Sequence, residues 1–195
     1  MGLISYDDTM DLDEWLPDTP VQLPLLLSLH LGHTDSHPGF TTTIFNCTNA
    51  PLLTSLTYDG SGHDEVEEMP VDAIIAFIRR SSCSLECLVL DWPAVQHMMD
   101  IIRMLRHAPT LKTLDLILKP GQSVDPLFLH LANRGPPGGH ETYLQNLTKL
   151  KLNVHHPFDW NLFVNIWLTR ESILSGYTDA GSSRIDLLSQ RDFLR

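Results

Sequence analysis

The apolar positions of this chain recur in one pattern. L-x-x-L-x-[L/Y] occurs at Leu26-Leu29-Leu31, Leu53-Leu56-Tyr58, Leu85-Leu88-Leu90, Leu111-Leu114-Leu116 and Leu147-Leu150-Leu152, with first leucines 27, 32, 26 and 36 residues apart. The closing residues of each copy have period two, which is that of a strand with one buried face. Between copies the period changes to three and four, which predicts helices. The stripes are Val71, Ile74, Ile75, Ile78; Val95, Met98, Ile102, Leu105; Val124, Leu127, Phe128, Leu131; and Trp160, Phe163, Val164, Trp167, Leu168. Pro70 suits a first helical turn, and Ser123 is a candidate N-cap. Residues 42–49 predict a short turn or helix of the same kind. Pro24, Pro51 and Pro109 each stand two residues before a first leucine, where proline ends a helix and feeds an extended segment.

One strand, one loop and one returning helix per copy is the grammar of a leucine-rich repeat. The expected fold is α/β: an irregular leucine-rich-repeat solenoid of about five strand-loop-helix repeats, with a parallel sheet on one side and helices on the other. Leu29/Leu31, Leu56/Tyr58, Leu88/Leu90, Leu114/Leu116 and Leu150/Leu152 point into the core, and the alternate residues point outward. If the strands align, the outward residues form three rows: Ser28, Ser55, Cys87, Thr113, Lys149; His30, Thr57, Val89, Asp115, Lys151; and Gly32, Asp59, Asp91, Ile117, Asn153. Residues 1–20 read as an acidic lead-in, either an interaction tail or a partly ordered terminus. Residues 21–175 read as the repeats and 176–195 as a C-terminal tail or cap, with a short terminal helix covering the last repeat. Two Gly-rich loops, 59–64 and 135–139, break the rhythm.

The charge is lopsided. Residues 1–78 contain 13 acids and no Lys or Arg, whereas the remainder carries all 13 basic residues and 11 acids, for a net charge of −11. A nucleic-acid surface needs a clustered basic face, and the first 78 residues cannot supply one. An acidic half sets solubility or favours a basic partner. No apolar run approaches the roughly 20 residues that span a bilayer. The start, MGLISYDDTMDLDEW, lacks the basic opening and apolar core of a signal peptide and does not fit a myristoylation pattern. The three cysteines (Cys47, Cys83, Cys87) suggest no disulfide framework, so the expected location is reducing, cytoplasmic or nuclear. The sequons at Asn46 and Asn146 are read as chance.

Candidate chemistry is sparse. His30, His33 and His37, with Asp35 between, have a spacing compatible with imidazole and carboxylate ligands. His30, however, lies between two core leucines and faces out, so no metal site is assigned. The His30–His37 loop remains the basis of a competing reading as a hydrolase or metal-binding enzyme. Cys83-x3-Cys87 is not a C-x-x-C motif and reads as structural. Gly60-Ser61-Gly62 lacks the further residues of a phosphate loop, and no G-x-S-x-G or H-E-x-x-H motif occurs. The expectation is a non-catalytic protein with no cofactor. Its candidate binding residues lie on the outward sheet face: His30, Thr57, Asp59, Val89, Asp91, Asp115, Lys149 and Lys151. That face is either a solvated surface or a partner site.

The segments Phe77-Ile78-Arg79-Arg80-Ser81-Ser82-Cys83-Ser84-Leu85-Glu86-Cys87-Leu88 and Leu105-Arg106-His107-Ala108-Pro109-Thr110-Leu111-Lys112-Thr113-Leu114-Asp115-Leu116 each run a helix end into a repeat strand. In this they resemble the C-terminal repeats of fungal F-box/leucine-rich-repeat proteins, especially the expanded sets of mushroom-forming fungi. The resemblance covers roughly residues 22–170 and rests on repeat grammar. It implies the substrate-recognition repeats of a Skp–cullin–F-box ubiquitin-ligase receptor, in which the repeats hold a target protein and an F-box docks the adaptor. Here Leu16-Pro17 is followed by Asp18-Thr19-Pro20, and the first repeat begins at Leu26, so no F-box is read. The expectation is a fragment or F-box-less relative that binds a protein target, and a Skp-type adaptor only if an F-box lies upstream. Neither a nucleic acid nor a membrane is an expected partner. Repeat one, with five leucines between Leu25 and Leu31, is expected to expose an edge that invites self-association.

Overall fold

The computed structural model describes residues 19–32, 39–60, 69–91, 98–118, 122–132, 144, 146–154, 172–179 and 182–189. The order is β1 (Val21–Gln22), β2 (Ser28–Gly32), α1 (Phe40–Cys47), β3 (Thr48–Asn49), β4 (Ser55–Asp59), α2 (Val71–Ser81), β5 (Cys87–Asp91), α3 (Met98–Leu105), β6 (Thr113–Ile117), α4 (Asp125–Ala132), β7 (Lys149–Val154), β8 (Ser172–Asp179) and β9 (Ser182–Ser189). Among the described residues, the five strands β2, β4, β5, β6 and β7 are separated by one helix each. The chain is a mixed α/β protein with four described helices. Among the described residues, the main sheet has seven strands in the order β2-β4-β5-β6-β7-β9-β8, and a small second sheet pairs β1 with β3.

Five strands of the main sheet, one per L-x-x-L-x-[L/Y] copy, run parallel in unbroken register. Leu29 pairs with Leu56, Leu56 with Leu88, Leu88 with Leu114, and Leu114 with Leu150. A hydrogen-bond pattern fixes this register. The N–H groups of Thr54 and Ser55 both donate to Leu27 O, those of Glu86 and Cys87 to Thr54 O, those of Lys112 and Thr113 to Glu86 O, and those of Thr148 and Lys149 to Lys112 O. The first leucine of four copies closes a turn, donating to the carbonyl three residues earlier: Leu26 to Leu23, Leu53 to Ala50, Leu111 to Ala108 and Leu147 to Leu144. The three prolines precede these leucines within the turns, at Pro24, Pro51 and Pro109, where a lost N–H breaks no ladder bond.

The strand leucines and the helix stripes share one core. Leu56, Leu88, Leu90, Leu114, Leu116, Leu150 and Leu152 are fully buried, together with Ile74, Phe77, Ile101, Leu127 and Phe128 of the helices. Phe45 of α1 packs tilted on Phe77 of α2, with ring centroids 5.4 Å apart. The first three expected stripes fall on α2, α3 and α4, although Val95 lies outside the described residues, as does the whole fourth stripe, residues 160–168. Residues 42–49 form the end of α1 and the two residues of β3. Ser123 acts at the start of α4, its hydroxyl accepting from the Asp125 N–H at 3.2 Å.

Two expectations are corrected. The parallel sheet does not stand alone: two further strands extend it antiparallel, β9 against β7 and β8 against β9. The expected terminal helix is also absent, because residues 182–189 form β9. A short apolar run such as Ile185-Asp186-Leu187-Leu188 does not distinguish helix from strand by period. The far side of β7 offers unpaired backbone groups, and a hairpin strand satisfies them where a helix could not. β8 runs across the boundary expected at residue 175.

Helix α1 is tied down by its neighbour. The Arg80 guanidinium, at the end of α2, donates to Phe45 O and twice to Thr48 O, through Nε at 3.1 Å and a terminal nitrogen at 2.6 Å. These carbonyls lie at the C-terminal end of α1, where helix carbonyls lack partners and the dipole favours a cation. Next to it, the buried Ser81 hydroxyl accepts the Ala50 N–H at 3.0 Å. The last turn of α2 thus holds the chain where it leaves α1 and leads into β4.

Candidate functional site

The alternate residues of the five parallel strands lie on the face opposite the leucines, in the three expected rows. Ser28, Ser55, Cys87, Thr113 and Lys149 align; so do His30, Thr57, Val89, Asp115 and Lys151; and so do Gly32, Asp59, Asp91, Ile117 and Asn153. None of the fifteen is buried: Ser28 and His30 are exposed and the rest are half-buried. At a strand spacing of about 4.8 Å, the face is about 19 Å wide from β2 to β7.

All eight candidate binding residues lie on this face. His30, Thr57, Val89, Asp115 and Lys151 make up the middle row, Asp59 and Asp91 lie in the row nearest the strands' C-terminal ends, and Lys149 ends the first row. Asp59 and Asp91 are register partners on adjacent strands. Asp91 is held above the usual carboxylate range, first by its partial burial and then by the negative charges of Asp59 and Asp115. Lys151 answers part of this charge, with its ammonium 3.3 Å from Asp115 and both side chains about a quarter exposed. The face therefore runs from uncharged at β2, through three carboxylates, to two lysines at β7.

A fourth row went unread in the sequence. Leu27, Thr54, Glu86, Lys112 and Thr148 precede the strands, and Lys112 pairs with Glu86 at 2.6 Å. Extending the alignment of the copies by one residue would have revealed it. The Thr54 and Thr148 hydroxyls in this row donate to Leu27 O and Lys112 O. Asn146, the acceptor residue of the second sequon, donates its amide to Pro109 O at 3.3 Å, in a segment joined to the buried Leu147.

The metal-like histidine cluster falls mostly outside the described residues. His30 is exposed on β2, while His33, Asp35 and His37 lie outside the described residues. Among the described residues, no group of three or more His, Cys, Asp or Glu side chains is placed to hold a metal ion. Cys47, Cys83 and Cys87 are free thiols, and burial pushes the Cys83 thiol up, away from the reactive thiolate form. No described helix is long and apolar enough to cross a membrane.

Compared with known proteins, the chain matches no family model, and no curated protein or solved structure matches it significantly.

Proposed function

We propose that this chain is a leucine-rich-repeat solenoid that holds a protein partner on its outward sheet face, as the substrate-recognition repeats of an F-box ubiquitin-ligase receptor do. The observation that carries the reading is the alignment of the three outward rows over five strands. Regular stacking of this kind presents one extended surface, and repeat arrays commonly bind there. The middle of the face carries Asp59, Asp91 and Asp115, and its C-terminal end carries Lys149 and Lys151. A partner with basic groups opposite β4–β6 and an acidic group opposite β7 complements it. The role is non-catalytic and needs no cofactor. A Skp-type adaptor is a partner only through an F-box in the same polypeptide.

The reading is tested by a photo-crosslinker placed in turn at Thr57, Thr113 and, on the exposed helix surface, Met99. The expected result is one protein captured from both face positions, not captured from Met99, and lost on Asp115→Arg. Equal capture from all three positions overturns the reading. Metal analysis addresses the competing enzyme class: stoichiometric zinc in the purified protein, lost on His33→Ala, would replace the proposed function with a metal enzyme built on the His30–His37 loop.

A further inference from the structure

The first strand of the main sheet is built like the others, but no described strand pairs with its outer side. In each later repeat the two residues after the first leucine donate their N–H groups to one carbonyl of the preceding strand, as Thr54 and Ser55 do to Leu27 O. Their counterparts in repeat one are Leu27 and Ser28. β2 is first in the strand order and, among the described residues, pairs with β4 alone, so these donors point to the open side.

The surroundings of this edge are apolar. Leu25 is 83% exposed, Leu27 58% and Val21 50%. Leu29 and Leu31 are half-buried, whereas their counterparts Leu88 and Leu90 are fully buried. Sheet edges are ordinarily blunted by a charge, a proline or a bulge. Here residues 19–32 contain no Asp, Glu, Lys or Arg, and no proline follows Pro24. The run from Leu25 to Leu31 has the apolar, uncharged character of a strand that recruits another.

We propose that β2 pairs antiparallel with β2 of a second copy of this chain, across a two-fold axis perpendicular to the sheet. Such an axis keeps the same face uppermost in both copies. Leu29 and Leu31 of the two chains then point into one shared core, and the two outward faces join into a single surface. The partner strand is the same uncharged sequence, so no charge is buried at the junction. The pairing uses both copies of the edge and closes, whereas β2 against β8, the opposite edge of the next copy, would be open-ended. This inference does not depend on the proposed function.

Sedimentation equilibrium of the full chain tests it. The expected result is a monomer–dimer equilibrium at tens of micromolar (roughly the range in which exposed edges associate). Leu27→Lys sets two like charges at the junction. Ser28→Pro removes an outward N–H while leaving the hydrogen bonds to β4 in place. Each is expected to weaken the dimer at least about tenfold while preserving the far-ultraviolet circular dichroism of the monomer. Should one variant misfold, the other still decides. A wild-type chain that stays monomeric at about 100 µM, folded variants that dimerise as the wild type does, or species growing past the dimer would each overturn the proposal.

Discussion

Repeats one and four carry the same pattern, Leu26-x-x-Leu29-x-Leu31 and Leu111-x-x-Leu114-x-Leu116, and lie in the same register of the same sheet. Their leucines nevertheless have different surroundings. Leu114 and Leu116 are fully buried between β5 and β7, with the helix layer beneath them. Leu29 and Leu31, with a described strand on one side only, are half-buried. Burial in a repeat array therefore belongs to the neighbours as much as to the residue. The hydrophobic contribution of each leucine scales with the apolar area its flanking repeats remove from water.

The largest test of that contrast is a charge placed in the core. Leu88→Asp or Leu114→Asp buries an unpaired carboxylate and should abolish the cooperative melt followed by circular dichroism, whereas Leu29→Asp should leave a folded protein. A Leu88→Asp chain melting at the parent's midpoint would break the register described above. Truncation sharpens the comparison: urea denaturation should show a loss of about 2–5 kcal/mol for Leu114→Ala. The same change at Leu31, with part of its surface already in water, should be smaller, about 1 kcal/mol.

The junction between repeats one and two gives an intermediate effect. Ser81→Ala leaves the buried Ala50 N–H without its acceptor and should destabilise the chain by about 1–3 kcal/mol, measured by the same denaturation.

The charged face should respond weakly and in a defined direction. Asp91 has its folded-state pKa raised, so the folded chain holds this proton more tightly than the unfolded one. Its contribution favours folding at low pH and is lost as pH rises from the unfolded value of about 3.9. Asp91→Asn should therefore raise the melting temperature at pH 7, with the gain shrinking toward zero below pH of about 4. The smallest effect belongs to the exposed Glu86–Lys112 pair, where Glu86→Ala should change stability by less than about 1 kcal/mol in thermal melts.

The repeat strands were legible because two periods alternate along the chain. Positions such as Leu56/Tyr58 and Leu114/Leu116 mark the buried face, so the outward rows that hold Thr57, Asp91, Asp115 and Lys151 align from the sequence alone. The helices α2, α3 and α4 were equally legible, since a stripe such as Ile74, Ile75 and Ile78 occurs at helical spacing. The Arg80 contact with α1 was not legible. It joins residues 32 and 35 positions apart, through a side chain whose local signal is only that of a basic residue near a helix end. The pairing of Lys112 with Glu86 was equally hidden until two copies were superposed.

Local sequence by itself determined that the five repeat segments become strands, that α2, α3 and α4 become helices, and which face of the repeat strands is buried, because these follow from the spacing of apolar side chains along a few residues of backbone. Only the tertiary structure decided that residues 172–179 and 182–189 become strands, that Leu29 stays half in water while Leu114 does not, and that Asp91 is partly buried beside its like-charged neighbours. Each of these depends on which elements lie alongside, and hydrogen-bond pairing, burial and Coulomb interaction act across space between groups far apart in the chain.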